Sequence, residues 1–225
     1  MTSTFPVVTI STDRLVLRPL EEADEPALTE MMRDELVTAW TAAPVPYGES
    51  DAREFVRRRA PAMRTEGEGA AFAVVEFLTQ RLVGLLQLRR TDWRVLATEV
   101  AYVIAPWARG EGYASESVLA LAQWLFHDQK FERLELRTPA DNTAAQQVAQ
   151  KLGCISEGVL RNAWIARTRT EDWGSPQAEP GAGWAEIRTD LLVWSLLPED
   201  LDGIPEQLAD AGGYAPYPDW LRSPR

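Results

Sequence analysis

The chain has 225 residues, 45% apolar and 25% charged, which allows one domain with a sizeable core and leaves no apolar run long enough to cross a bilayer. A net charge of −11 argues against a nucleic-acid partner, whose affinity rests on neutralising phosphates, and suits a cationic one. One cysteine, Cys154, and one histidine, His127, exclude a disulfide framework and a His/Cys metal cluster, so no metal is expected.

The opening "MTSTFPVVTI" has neither a basic region nor a long apolar one, so no secretory leader is expected, and a reducing cytoplasm is the expected location. "TDRLVLRPL" alternates Leu15 and Leu17 with Arg14 and Arg18, as a strand does. "EEADEP" then predicts a helix with Asp24 as its cap and Leu28, Met31, Met32 and Leu36 on one apolar face. "PVPYGES" is a loop, and Ser50 caps a short helix over 51–60 that Pro61 ends or kinks.

Three strands follow, "AFAVVEF", "RLVGLLQLRR" and "ATEVAYVI", the first two joined tightly enough to be antiparallel. "SESVLALAQWLF" is an amphipathic helix with His127 near its end, and "RLELRTP" is a short strand. "DNTAAQQVAQKLG" is a helix that starts at Asp141 or Asn142, turns Ala145, Val148 and Leu152 inward and ends at Gly153. "ISEGVLRNAWI" and "IRTDLLVWSLL" are the last strands. Between them, Gly, Pro and charge fill an excursion from about 166 to 186 bracketed by Trp164, Trp173 and Trp184. Strands cluster in the middle of this order, which predicts a mixed α+β fold and not a doubly wound parallel sheet.

The chemistry concentrates in "YVIAPWARGEGYASES", residues 102–117. A strand runs into a loop with Gly110, Gly112 and Ala114 at alternate positions, and the loop opens a helix. Helix N-termini expose unpaired N–H groups and partial positive charge, which bind phosphate, and glycine lets the backbone approach. A plain strand-to-helix turn would read the same way. The loop is neither the dinucleotide "GxGxxG" nor the "GxxxxGK[ST]" P-loop.

"RGEGYA" resembles the R/Q-x-x-G-x-G/A signature of the GCN5-related N-acetyltransferase (GNAT) superfamily. "TDRLVLRPL", "EVAYVIAPWARGEGYASES", "DNTAAQQVAQKLGCISEGVLR" and "DLLVWSLL" resemble, in order, blocks of its RimJ/RimL-like branch. Ala145 stands where that branch usually has serine and Cys154 where it usually has phenylalanine, and the excursion is longer than its ordinary hairpin.

The resemblance implies a mostly antiparallel central sheet whose central strands splay apart, with helices on both sides. It places one acetyltransferase domain at 1–197 and an extension at 198–225. It implies acetyl-coenzyme A as acyl donor, an amine acceptor entering from the opposite side, direct transfer in a ternary complex, and a possible homodimer, with no nucleic acid or membrane partner.

By the same resemblance the pyrophosphate falls on Arg109, Gly110, Glu111, Gly112, Tyr113 and Ala114. The acyl arm lies along Tyr102, Val103 and Ile104, and Asn142 touches the coenzyme, though it could equally be a helix cap. Glu111 is an acid in this loop, so the backbone amides should do the binding. Glu99 is the candidate base and Ser156 a candidate proton donor, with Glu157 beside it; Lys151 could meet the distal phosphate. Cys154 is expected to pack as a small buried residue. The acidic balance and the long excursion lean toward a small cationic acceptor. A protein N-terminus, a non-catalytic acyl-coenzyme-A sensor and a different acyl donor stay open.

Overall fold

The computed structural model describes residues 3–170 and 183–203. The chain forms an eight-stranded sheet in the order β1-β2-β3-β4-β5-β6-β8-β7. The strands are β1 (Ile10–Ser11), β2 (Leu15–Arg18), β3 (Ala70–Glu76), β4 (Leu82–Asp92), β5 (Ala97–Ile104), β6 (Arg133–Pro139), β7 (Ile155–Arg169) and β8 (Trp184–Leu196). Every neighbouring pair is antiparallel except β5 and β6, which run parallel. A parallel pair needs a crossover, and helix α5 (Tyr113–His127) supplies it.

The α5 sequence "SVLALAQWLF" is apolar almost all round, and Val118 through Ala122, Trp124, Leu125 and Phe126 are buried. A helix of that character belongs inside the fold, covered by the sheet on one side and other elements on the rest. His127 ends this helix and is exposed. Phe5, Trp93, Trp124 and Phe131 form an aromatic cluster in the same core, with Phe5 and Phe131 centroids 5.5 Å apart.

The N-terminal helices depart from the reading of the sequence. The first ends early: α1 spans Glu25–Met32, and a new helix α2 (Glu35–Trp40) begins after Asp34, whose carboxylate accepts the Val37 N–H at 3.1 Å. Leu36 therefore leaves the apolar face of α1 and is 54% exposed. Asp24 is no side-chain cap of α1. Its carboxylate turns back, accepts the Glu21 N–H at 2.8 Å and is clamped by both terminal nitrogens of Arg18 at 2.8 and 2.9 Å. Nor does Pro61 end its helix. Helix α3 (Glu49–Glu54) widens into a π-turn over Phe55–Arg59 and continues as α4 (Ala60–Thr65). Pro61 follows closely on the π-turn, inside the continuous run of helix.

The excursion is narrower than the sequence suggests. Strands β7 and β8 stay paired out to Arg169 opposite Trp184, and Arg169 stacks over the Trp184 ring at 4.2 Å. The rest of the excursion, with Trp173, and residues 204–225 of the expected extension lie outside the described residues. No helix among the described residues is long and apolar enough to cross a membrane.

Candidate active site

The middle of the sheet opens. Strands β5 and β6 pair only from Ala97 opposite Arg133 to Val100 opposite Leu136. Beyond that point β5 keeps its partner on one side, β4, up to Gly84 opposite Ile104, and β6 keeps β8 up to Pro139 opposite Leu191. The two strands diverge like a V. The Ala105 N–H bonds Val83 O at 2.9 Å. Because partners alternate along an antiparallel ladder, Val103 and Ala101 also face β4, and the N–H and C=O of Tyr102 and Ile104 point into the gap. Among the described residues no strand pairs with this edge, so an extended amide-bearing chain could be laid along it.

A cavity of about 1320 Å³ runs through the opening. Its walls include Tyr102, Val103 and Ile104 of β5, Gly110, Gly112 and Ala114 ahead of and within α5, and Thr138, Pro139 and Asn142 after β6.

The loop end of the cavity is made of backbone. Gly110 and Gly112 have φ of +84° and +82°, the left-handed region that favours glycine, and Gly112 is the N-cap of α5. A Cβ built on Gly110 would meet nothing within 4 Å, so the space above it is open. Glu111 between them is exposed and does not line the cavity. The flanking side chains are engaged elsewhere. Arg109 pairs with Asp34, whose carboxyl is partly buried yet held below the usual range by hydrogen bonds from Arg109 and the Val37 N–H. The Tyr113 hydroxyl donates to Glu76 Oε1 at 2.7 Å, and that bond and burial push it up to about 12.

Two residues the sequence reading passed over hold this loop. Arg14, on the turn into β2, donates from Nη2 to the Glu111 carbonyl at 3.1 Å and lies over the Tyr113 ring at 4.9 Å. Its Nε donates to Glu116 Oε2 at 2.8 Å, and Thr12 donates to Oε1 at 2.5 Å. Glu116 is 1% exposed in the first turn of α5. An acid just ahead of the almost wholly apolar run of α5 was the available signal, since a carboxylate that such a helix buries requires a cation nearby.

Asn142 caps α6 (Thr143–Lys151), its Oδ1 accepting the Ala145 N–H at 3.1 Å, and it also lines the cavity. Lys151 ends α6 and lines the same cavity. Tyr102 projects toward α6, with its hydroxyl 3.5 Å from Ala145 O, and burial raises its pKa well above the ordinary phenol range. Burial likewise pushes the Cys154 thiol up to about 12.

Glu99 and Ser156 are not brought together. Ser156 is exposed on β7, opposite Trp194 of β8, which in turn faces Leu136 of β6. Strand β8 therefore stands between Ser156 and the opening, and Ser156 is not among the cavity walls. Glu99 does reach the cavity, from the face opposite Tyr102, as alternation along a strand requires. It is 2% exposed and surrounded by arginines: Arg89 Nε donates to Oε1 at 2.7 Å, and Arg90 Nε and Arg137 Nε stand 3.5 and 3.4 Å from Oε2. The charges continue across this face of the sheet. Arg137 Nη2 donates to Glu135 at 3.1 Å, Arg133 Nε to Glu135 at 3.0 Å, and both Arg133 terminal nitrogens to Glu157 at 2.7 and 2.6 Å. Those bonds from Arg133, and one from Ser195, hold the Glu157 carboxyl down at about 2.

Comparison with known proteins agrees with this geometry. A family model described as "Acetyltransferase (GNAT) domain" matches residues 14–155. The uncharacterized N-acetyltransferase p20 of Bacillus licheniformis is 26% identical over 164 residues, covering 73% of this chain and 92% of that protein. The structure of Mycobacterium smegmatis RimJ in complex with CoA-disulfide superposes with a TM-score of 0.73 at 16% identity, over 92% of this chain and 96% of that one. A ribosomal-protein-S5-alanine acetyltransferase from Vibrio fischeri superposes with a TM-score of 0.67 at 14% identity, over 86% and 98%. The match covers more than half of the chain and includes the opened sheet and the glycine loop, so this protein belongs to the GNAT family of N-acetyltransferases.

Proposed function

We propose that the protein transfers the acetyl group of acetyl-coenzyme A directly to a primary amine in a ternary complex. One observation carries this reading: the V between β5 and β6, with the open backbone edge of Tyr102 and Ile104, opens into the same cavity as the Gly110–Gly112 turn. The donor's diphosphate would lie on the N–H groups at the head of α5, where helix polarity favours an anion. Its extended arm would add to the β5 edge, so the thioester would be held along the strand.

In the transfer itself, the neutral amine nitrogen bonds to the thioester carbon, the C–S bond breaks, the nitrogen gives up a proton to water in the opening, and the thiolate takes a proton. A backbone N–H in the gap is positioned to stabilise charge developing on the carbonyl oxygen. Tyr102 is the candidate proton donor in place of Ser156, because burial keeps its phenol protonated and it lines the cavity on the α6 side. The neighbours named as ribosomal-protein acetyltransferases make a peptide N-terminus one acceptor to test, beside small amines.

A thiol-release assay over peptides and small amines, with coenzyme A binding followed separately by calorimetry, tests the reading. Turnover with at least one amine is expected, and Tyr102→Phe should lower kcat at least tenfold with coenzyme affinity unchanged. Tight coenzyme binding with no turnover on any amine would replace the enzyme with an acyl-coenzyme-A sensor.

A further inference from the structure

The far wall of the cavity is built unlike the rest, and it carries an unusual backbone. Arg89 and Arg90 are consecutive on β4, so a regular strand would send them to opposite faces. Here the register between β4 and β5 shifts between Arg89 and Asp92, and Arg90 takes φ of +53°. A bulge bends the strand and re-aims a side chain, and a non-glycine residue held in the left-handed region points to a role that keeps it there. The result is that Arg89 and Arg90 both reach Glu99, and both line the cavity.

The pairing among these groups is loose. Glu99 Oε2 and Arg137 Nε are buried and face each other at 3.4 Å, an ion pair that falls short of hydrogen-bond geometry. Arg90 is more than half exposed, and the ion pair it makes among the described residues is the one to Glu99 Oε2 at 3.5 Å. Three guanidinium groups thus face one carboxylate, and Glu135 takes only part of the charge of Arg137. Arg59 opens onto the cavity together with Asp51, Glu54 and Glu68, so the excess of guanidinium groups is local to the Glu99 cluster. Both carboxylate oxygens of Glu99 already face arginines, and in this reading Glu99 is a positioning residue that holds the guanidinium groups in place.

We propose that the acceptor amine carries a carboxylate, and that Arg90 and Arg137 bind it. This deepens the acetyltransferase reading and rests on it: the donor occupies the loop side of the opening, and the acceptor enters from the Glu99 side. Two sources supply an amine with a carboxylate a few bonds away, a free amino acid and a peptide N-terminus followed by an acidic residue. The local charge outweighs the lean toward a cationic acceptor that overall composition suggests, because a side chain in the site acts at contact distance whereas net charge acts through screening solvent.

Binding to the coenzyme-A-loaded protein tests this without requiring turnover. The probes are N-acetyl-amino acids against their carboxamides, and N-acetylated dipeptide amides with Glu against Gln at the second position. At least one carboxylate is expected to bind tenfold or more tightly than its neutral counterpart, as charge-assisted pairs with arginine do. The first pair responds if the source is a free amino acid, the second if it is a peptide. Arg90→Gln should erase the preference and leave coenzyme A affinity unchanged; Arg90→Lys should restore part of it. Arg137→Gln should act in the same direction, and Arg90 gives the cleaner variant because it is half in solvent. Equal binding of acid and amide in both pairs, no binding of any carboxylate, or a preference that survives Arg90→Gln overturns the proposal. Failure of coenzyme A itself to bind would instead sink the acetyltransferase reading, and the two failures are seen in separate titrations.

Discussion

The two ends of the cavity are built by different means. At the head of α5 the site is backbone: two glycines in left-handed conformations, an exposed Glu111 that turns away, and flanking side chains already engaged with Asp34 and Glu76. At the other end the site is side chains: Arg89, Arg90, Arg137 and Glu99, brought together from three strands by a bulge. Backbone recognition suits a part of the substrate that never changes. Side-chain recognition suits the part that sets specificity, because it can be changed without moving the fold.

The comparison is broken most directly at the glycines. Gly112→Val places a β-branched residue at φ of +82°, where it is a true outlier. A Cβ there would not clash, since its nearest heavy-atom neighbour is Arg14 Nη2 at 3.8 Å, so the effect should come chiefly from the backbone. We expect coenzyme affinity to fall about a hundredfold by calorimetry, with a stability loss of roughly 1–2 kcal/mol, the cost of that conformation for an L-residue. A dissociation constant within threefold of wild type would mean that the loop is only a turn.

The next effect concerns what holds the backbone end still. Arg14 neutralises a carboxylate that is 1% exposed, and breaking such a pair strands a buried charge. Arg14→Met should therefore lower unfolding free energy by about 3 kcal/mol in urea titrations. Adding Glu116→Gln should recover much of that loss, because the uncompensated charge is gone. Coenzyme affinity should stay reduced in both variants, since neither restores the bond to the Glu111 carbonyl. If the double variant is no more stable than the single one, the Arg14–Glu116 pair is not what braces the loop.

What could be read in the sequence divides along the same line. The glycine spacing, the helix that follows it and the exact span of β5 were legible because short-range rules govern them: turn chemistry, periodicity and helix polarity. The kinship of the ordered blocks was legible for the same reason. The V between β5 and β6 was expected only through the resemblance, because nothing local in "ATEVAYVI" says where pairing stops. The arginine wall was not legible at all. In "RLVGLLQLRR" the two arginines read as consecutive strand residues on opposite faces, and only the bulge between Arg89 and Asp92 brings both to Glu99. Ser156 was misplaced for a related reason. Its nearness to "LGC" in sequence concealed that β8 inserts between β6 and β7. Strand order is a long-range property, and a single sequence carries little of it.

The smallest expected effect sharpens the comparison furthest. Glu111 is an acid in the middle of a turn that should hold a diphosphate, and a side-chain site could not tolerate it. It is exposed, it is absent from the cavity wall, and what it contributes to the loop is its carbonyl, which accepts from Arg14 at 3.1 Å. Alanine keeps that carbonyl and its N–H. Glu111→Ala should therefore change coenzyme affinity by less than twofold at physiological salt, where an exposed charge pointing outward is largely screened. The variant could bind slightly more tightly at low salt, since a residual like-charge repulsion would be removed. A tenfold loss would show that the Glu111 side chain participates, and the claim that backbone alone builds this end of the cavity would fail, even with the glycines shown to be essential.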